Sequence, residues 1–184
     1  DDRVAIVTGA GAGFGRATAQ ALAAHGAIVA VTDIDGEAAE AVAKEIERGE
    51  AFALDVTNET DVTETVDEVA RRHRRIDILV NNAGLGARDP TVDLKTERWH
   101  RAMAAGPEGS FYAVRAAGRH MLKQESGAVV NVASIMGLVG GAHYPNLAYH
   151  AAKGAIVNMT RALACEWAAS GIRVNAVAPT FART

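Results

Sequence analysis

Short apolar segments alternate along the whole chain with longer segments of helical character. Most of the apolar segments are rich in Val, Ile and Ala without alternating polar residues, which is typical of strands covered on both faces. They lie at residues 4–7, 27–31, 51–54, 76–80, 128–132 and 172–177. Buried strands that alternate with helices predict right-handed βαβ crossovers and a parallel sheet.

The segments between these strands favour helices. They lie at residues 15–25, 36–48, 59–74, 96–123 and 149–170. In the third of them, acidic residues come early and Arg and His come late, which complements the helix dipole. No internal repeat, low-complexity tract or linker interrupts the pattern. We therefore predict a single α/β domain over residues 1–184, a doubly wound parallel sheet in three layers, which is the Rossmann fold.

Composition and charge exclude several classes of protein. The 184 residues are 49% hydrophobic with a net charge of -3, which argues against intrinsic disorder and against a broad basic surface for nucleic acid. The single cysteine, Cys165, excludes an internal disulfide, and no histidine spacing indicates a metal site. No apolar run reaches the roughly 18 residues that span a membrane. We expect a soluble, cytoplasmic protein with no metal and with no nucleic-acid or membrane partner.

The first strand runs directly into a glycine-rich turn, Thr8 to Gly15, which precedes a helix. Glycines let the backbone approach a pyrophosphate, and the helix N-terminus offers free N–H groups to that anion. The second strand ends at Asp33, where a carboxylate can accept hydrogen bonds from an adenosine ribose and would repel a 2′-phosphate. Neither Ile34 nor Ala12 supplies a compensating cation. The pattern therefore favours NAD over NADP. A helix N-cap is the alternative role for Asp33, although Asp35 is closer to that position.

Five motifs occur in the order that one enzyme family shows. They are the TGxxxGxG turn at 8–15, Asp55 after the third strand, Asn-Asn-Ala-Gly at 81–84, Ser134 after the fifth strand, and Tyr149 with Lys153 on a helix. Together they resemble the short-chain dehydrogenase/reductase family over essentially the whole chain. The resemblance implies an oxidoreductase that transfers a hydride between NAD(H) and a secondary alcohol or carbonyl substrate.

The resemblance also implies which residues hold the cofactor. Asp55 and Val56 are expected beside the adenine, and 82–84 along the cofactor cleft. Pro179 and Thr184 are expected near the nicotinamide. The complete predicted set is Gly9, Gly11, Gly13, Phe14, Gly15, Asp33, Ile34, Asp55, Val56, Asn82, Ala83, Gly84, Tyr149, Lys153, Pro179 and Thr184.

Ser134, Tyr149 and Lys153 are the predicted catalytic residues. Tyr149 and Lys153 stand one helical turn apart and share a face. A phenol is a poor base at neutral pH, but a neighbouring ammonium group lowers its pKa, so Tyr149 is expected to be the general acid/base. The Ser134 hydroxyl, at the carboxyl end of a strand, is expected to hydrogen-bond the substrate oxygen. By the resemblance, Lys153 also binds the nicotinamide ribose.

Two departures from the family pattern leave alternatives open. Gly106-Pro107 stands where the family carries an asparagine that helps to hold a water near Lys153, and Pro107 is expected to break the helix. The chain stops after the sixth strand, so the family's C-terminal lid and last strand are expected to be lacking from this sequence. A non-catalytic NAD-binding or scaffold protein is the alternative to an enzyme. A sugar-nucleotide epimerase or dehydratase fits less well, because its relatives usually show TGxxGxxG.

Two further expectations concern the surface. The segment His143–Asn146 lengthens the interval between Ser134 and Tyr149 and is expected to border the substrate. The long helices at 96–123 and 149–170 resemble the pair through which family members associate. The resemblance therefore implies a homo-oligomer, either a dimer or a tetramer.

Overall fold

Six parallel strands form one sheet in the computed structural model, which describes residues 2–141 and 144–182. The strands are β1 (Val4–Thr8), β2 (Ile28–Asp33), β3 (Gly49–Ala53), β4 (Ile78–Asn81), β5 (Gly127–Val132) and β6 (Ile172–Val177). Their order across the sheet is β3-β2-β1-β4-β5-β6. This confirms the predicted doubly wound parallel sheet. The strand order reverses between β1 and β4, which opens a crevice at the carboxyl ends of the strands.

Helices cover both faces of the sheet. They are α1 (Gly13–Ala24), α2 (Gly36–Glu45), α3 (Glu59–His73), α4 (Thr96–Met103), α5 (Gly109–Gln124) and α6 (Leu147–Trp167). Side chains on β1 alternate between the two faces, because Ala5 and Val7 pack with α1 and α2 while Val4 and Ile6 pack with α3 and α5. The three layers expected from the sequence are therefore present. Across 2–141 and 144–182, every helix is too short or too polar to cross a bilayer.

The helix predicted at 96–123 contains a π-helical turn. Residues Ala104–Glu108 form this turn between α4 and α5, and Pro107 lies inside it. The Gly109 N–H donates to the carbonyl of Ala104, one residue further back than in an α-helix. The wider turn accommodates a residue that has no N–H to donate. The α-helix is therefore interrupted at Pro107, as expected, but by a π-helical turn, so the chain stays helical through the interruption.

Candidate active site

The glycine turn after β1 brings the backbone into close contact with the loop after β4. Gly9 has a φ of +62°, and a Cβ atom added there would lie 3.0 Å from the Cα of Ala83. A Cβ atom on Gly15 would lie 2.1 Å from the carbonyl oxygen of Gly9. Ala12, at the N-cap of α1, makes no side-chain hydrogen bond to the first turn of that helix. The positive end of α1 therefore has no side-chain cap from its own N-cap residue, which suits an anion.

Asn82 connects the loop after β4 to the glycine turn through hydrogen bonds. Its side-chain nitrogen donates to the carbonyl oxygens of Thr8 and Gly9, at 3.0 and 2.8 Å. The Thr8 hydroxyl in turn accepts from the N–H groups of Asn82 and Ala83, both at 3.1 Å. The Asn-Asn-Ala-Gly segment is therefore a structural partner of the glycine turn.

Asp33 ends β2 with its carboxylate against the glycine turn. One carboxylate oxygen accepts from the Gly11 N–H at 2.9 Å, and the other accepts from the Asp35 N–H at 3.0 Å. Asp35 is the N-cap of α2, and its side chain accepts from the Ala38 N–H. The alternative role considered for Asp33 thus belongs to Asp35. A carboxylate has about four lone-pair positions, so Asp33 keeps acceptor capacity for a ligand.

A cleft of about 600 Å³, here called the Asp33 cleft, lies at the carboxyl edge of the sheet. Many of the predicted cofactor residues meet in it, although they come from the carboxyl ends of four different strands. These are Gly9, Asp33, Ile34, Asp55, Val56, Asn82, Ala83 and Gly84. His100 and Arg101 at the end of α4 also line this cleft and were not predicted.

A second cleft, of about 550 Å³, contains both Ser134 and Tyr149 and is here called the Tyr149 cleft. Ser134 follows β5, and its side-chain oxygen accepts from the Met136 N–H at 3.2 Å. The hydroxyl hydrogen of Ser134 is therefore not committed by that bond and can be donated to a ligand. Tyr144 and Asn146, from the loop that is predicted to border the substrate, line the same cleft, whereas His143 lies outside the described residues.

Lys153 connects the two clefts. Its Nζ atom lies 5.6 Å from the centre of the Tyr149 ring and donates to the Val132 carbonyl at 2.5 Å. A Cβ atom on Gly84, in the Asp33 cleft, would lie 3.4 Å from the same nitrogen. The side chain is buried, and this burial lowers the pKa of Lys153 to about 8. The lysine ammonium group is thus held in a poorly solvated position between both clefts.

A buried chain of polar side chains ties α6 to the sheet. Asn81 on β4 donates to the side-chain oxygen of Asn131 on β5 at 2.9 Å, and Asn131 donates to the Thr160 hydroxyl at 2.9 Å. Thr160 lies on α6 and donates to the Ile156 carbonyl. These bonds fix the helix that carries Tyr149 and Lys153 against the strands that end at the site.

A sequence model of the family described as short chain dehydrogenase matches residues 3–184. The chain belongs to the short-chain dehydrogenase family. The fold and the co-linear motifs of this short-chain dehydrogenase agree with that match over nearly the entire chain.

Curated relatives and solved structures give the same result. The chain is 39% identical to meso-2,3-butanediol dehydrogenase from Serratia marcescens, with 100% of this chain and 73% of the relative covered. It is 40% identical to D-threitol dehydrogenase from Mycolicibacterium smegmatis, with 100% and 72% covered. A crystal structure of an NAD+-bound xylitol dehydrogenase superposes with a TM-score of 0.93 at 38% identity, covering 97% of this chain and 70% of that one.

Some predicted residues of this short-chain dehydrogenase lie apart from the cleft linings. Phe14 is 41% exposed at the start of α1 and is not a lining residue of either cleft. Pro179 accepts a hydrogen bond from the Ile135 N–H through its carbonyl, which places it next to Ser134. Gly11 and Gly13 belong to the glycine turn, and Thr184 lies outside the described residues.

Proposed function

We propose that this short-chain dehydrogenase is an NAD-dependent oxidoreductase that interconverts a secondary alcohol and the corresponding carbonyl compound. The observation that carries the proposal is the position of Lys153, buried between a cleft that contains Asp33 and a cleft that contains Ser134 and Tyr149. This arrangement provides one site for a dinucleotide and an adjoining site for proton transfer.

The Asp33 cleft suits a dinucleotide. A Cβ atom at Gly15 would collide with the carbonyl oxygen of Gly9, so glycine at this position lets the start of α1 pack closely against the loop after β1. The N–H groups at that helix N-terminus would bind a phosphate group of the dinucleotide. Asp33 would accept hydrogen bonds from the adenosine ribose hydroxyls, and its charge disfavours a 2′-phosphate there. Ile34, Asp55 and Val56 would border the adenine. When bound, the nicotinamide supplies the hydride donor or acceptor for the two-electron chemistry.

The chain's own residues would handle orientation and the proton. In the direction of alcohol oxidation, the Tyr149 phenolic oxygen would accept the proton of the substrate hydroxyl. The Ser134 hydroxyl would donate a hydrogen bond to the substrate oxygen and so hold it beside Tyr149. The Lys153 ammonium group, over the Tyr149 ring, would favour a negative charge on the phenolic oxygen.

The names of relatives support the same class of reaction. Meso-2,3-butanediol dehydrogenase and D-threitol dehydrogenase both carry the name of a polyhydroxylated alcohol, and the xylitol dehydrogenase structure contains NAD+. We therefore propose an alcohol with more than one hydroxyl group as the substrate. Homo-oligomerisation and a cytoplasmic location stay predictions of the sequence.

The test is turnover by the full-length protein. NADH formation would be followed with NAD and with meso-2,3-butanediol, D-threitol, xylitol and other polyols, and NADH consumption with the matching ketones. We expect turnover of at least one pair, with NAD preferred to NADP. Tight NADH binding without turnover of any compound would instead support the non-catalytic alternative and contradict the proposal.

A further inference from the structure

The Tyr149 cleft carries a positive charge that proton and hydride transfer do not need. Arg88 and Arg98 line it, and the described lining residues include no Asp or Glu. Arg98 is neutralised from outside the lining by Asp89, at 2.8 Å. Arg88 forms no ion pair with any residue in 2–141 or 144–182. The charge of Arg88 is therefore available to a ligand in this cleft.

Arg88 is held in place by an aromatic ring. Its guanidinium carbon lies 4.5 Å from the centre of the Tyr144 ring, and Tyr144 lines the same cleft. Stacking of this kind uses the flat face of the guanidinium group and restricts the side chain. The N–H groups at the edge of the plane form no hydrogen bond within 2–141 and 144–182, so they can bind a carboxylate with two parallel hydrogen bonds.

Asn146 supplies a second unused group. The residue is only 6% exposed and lines the cleft, yet its side-chain oxygen has no hydrogen-bond partner among the described residues. Within the part of the chain that the structure describes, its side-chain nitrogen makes one long contact, 4.0 Å, with the Met136 sulfur. A buried acceptor without a donor is unfavourable, so a ligand hydroxyl group that donates to this oxygen would be favoured.

We propose that the Tyr149 cleft takes a hydroxylated carboxylate, a sugar-acid-like compound, in preference to a neutral polyol. The carboxylate would bind Arg88, one hydroxyl group would donate to Asn146, and a secondary alcohol would lie at Ser134 and Tyr149. The proposal rests on the proposed function for its chemistry. The carbinol carbon would lose a hydride to the nicotinamide and its hydroxyl group a proton to Tyr149, which yields a keto acid. A cleft of about 550 Å³ is within the range for compounds of this size.

Matched pairs of an acid and a polyol measure the effect of the carboxylate group on substrate preference. D-gluconate and D-glucitol, D-galactonate and galactitol, and D-xylonate and xylitol differ at one terminal carbon while keeping the same hydroxyl pattern elsewhere. With full-length protein and NAD, we expect kcat/KM to be roughly 10-fold or more higher for the acid in at least one pair. Equal or higher values for the polyol in every pair would overturn the proposal.

Two variants test the carboxylate contact with Arg88 and the hydroxyl contact with Asn146 one at a time. Arg88→Gln should lower kcat/KM for the acid about 10-fold while changing that of the polyol less than about twofold. Asn146→Ala should weaken both members of the pair, because both carry the hydroxyl group. Arg3→Gln is the control, since Arg3 is exposed and precedes β1 at the opposite edge of the sheet. A loss of acid and polyol activity in equal proportion in Arg88→Gln would contradict the assigned role of Arg88.

Measurements of ligand affinity test the carboxylate site independently of the proposed oxidoreductase activity. Titration calorimetry with NADH-loaded protein measures the affinity of each compound even where no turnover occurs. If an acid binds more tightly than its matched polyol, and Arg88→Gln reduces that difference in affinity, the carboxylate site is supported even where no compound is turned over. Equal affinity for acid and polyol in every pair, or acid binding that Arg88→Gln leaves unchanged, would overturn the carboxylate site on its own.

Discussion

The Nζ atom of Lys153 lies 5.6 Å from the centre of the Tyr149 ring and donates to the Val132 carbonyl from a side chain that is almost fully buried. The backbone carbonyl therefore replaces part of the water that an ammonium group would otherwise bind. One hydrogen bond does not compensate for the hydration free energy that the buried ammonium group loses. Burial therefore lowers the pKa of Lys153 from its ordinary value of 10.5 to about 8. The position of Lys153 thus costs stability at neutral pH.

Replacing this lysine should raise stability in a pH-dependent way. A lowering of the pKa from 10.5 to about 8 corresponds to roughly 3 kcal/mol. Below pH 8 the lysine is charged in both the folded and the unfolded state, so the cost is fully present. Between pH 8 and 10.5 the folded state releases its proton first, and wild-type stability rises with pH. Relative to Lys153→Met, the wild-type protein should therefore gain up to about 3 kcal/mol across this interval.

Urea denaturation of both proteins at a series of pH values measures this difference. At pH 7 we expect Lys153→Met to be more stable than the wild-type protein. The gain in the free energy of unfolding is reduced by about 1–3 kcal/mol, because the Val132 carbonyl loses its donor. Lys44→Met is the matched control, since the Lys44 side chain is largely exposed and forms a surface ion pair with Glu40. A gap between Lys153→Met and wild type that does not change with pH would contradict the interpretation.

Tyr149→Phe should remove turnover and leave cofactor binding in place. The variant keeps the ring beside Lys153 and loses only the oxygen that would exchange the proton. We expect kcat/KM to fall by about 10²–10⁴, the usual contribution of a general acid or base. The NADH dissociation constant, from fluorescence titration, should change less than about threefold. Tyr112→Phe on α5 is the control, and an unchanged kcat/KM in Tyr149→Phe would remove Tyr149 from the mechanism.

Asp33→Ala should reduce the preference for NAD. The variant removes a charged acceptor for the ribose, worth about 1.5–3 kcal/mol, so NAD affinity should fall by roughly 10- to 100-fold. NADP should bind better than to the wild-type protein, because the repelling carboxylate is gone and Arg101 lines the same cleft.

Asp35→Ala tests whether the change in cofactor preference is specific to the Asp33 carboxylate. Asp35 caps α2 only two residues away, so its loss should cost about 1 kcal/mol of stability. The ratio of NAD to NADP affinity should stay as in the wild-type protein. Both ratios come from titration calorimetry, and an unaltered NADP affinity in Asp33→Ala would count against the ribose assignment.

The parts of this molecule that the sequence predicted depend on local pattern. Continuously apolar segments identified the buried strands, and parallel strands necessarily bring their carboxyl ends to one edge. That geometry alone places Asp33, Asn82 and Ser134 at the same edge of the sheet. The spacing of Tyr149 and Lys153 similarly fixes their shared helix face without any knowledge of the rest of the chain.

Other features depend on loop conformation and could not be predicted from the sequence. Arg88 and Arg98 lie in different segments, and only the path of the loop after β4 brings both to the Tyr149 cleft. The π turn at Ala104–Glu108 depends on packing against α6, because intrinsic preferences at Pro107 favour a break. The pKa of Lys153 likewise depends on burial, which periodicity does not report.

Two glycines in helices should respond oppositely to substitution by alanine. A Cβ atom on Gly118, in α5, would lie 2.6 Å from the Trp167 ring, which packs over it in the core. A Cβ atom on Gly154, in α6, would lie 3.7 Å from its nearest neighbour, the Gly137 carbonyl oxygen. Gly118→Ala should therefore destabilise the protein by about 1–3 kcal/mol through overpacking. Gly154→Ala should stabilise it by about 0.5–1 kcal/mol, because alanine loses less backbone entropy in a helix.

Urea denaturation at constant pH compares the two variants directly. The m-value should stay at its wild-type level in both, so that the midpoints report stability alone. Combining Gly118→Ala with Trp167→Leu should cost less than the sum of the two single changes, since the smaller side chain leaves room for the new Cβ atom. Strictly additive losses in the double variant would mean that the Trp167 ring is not what excludes a side chain at Gly118.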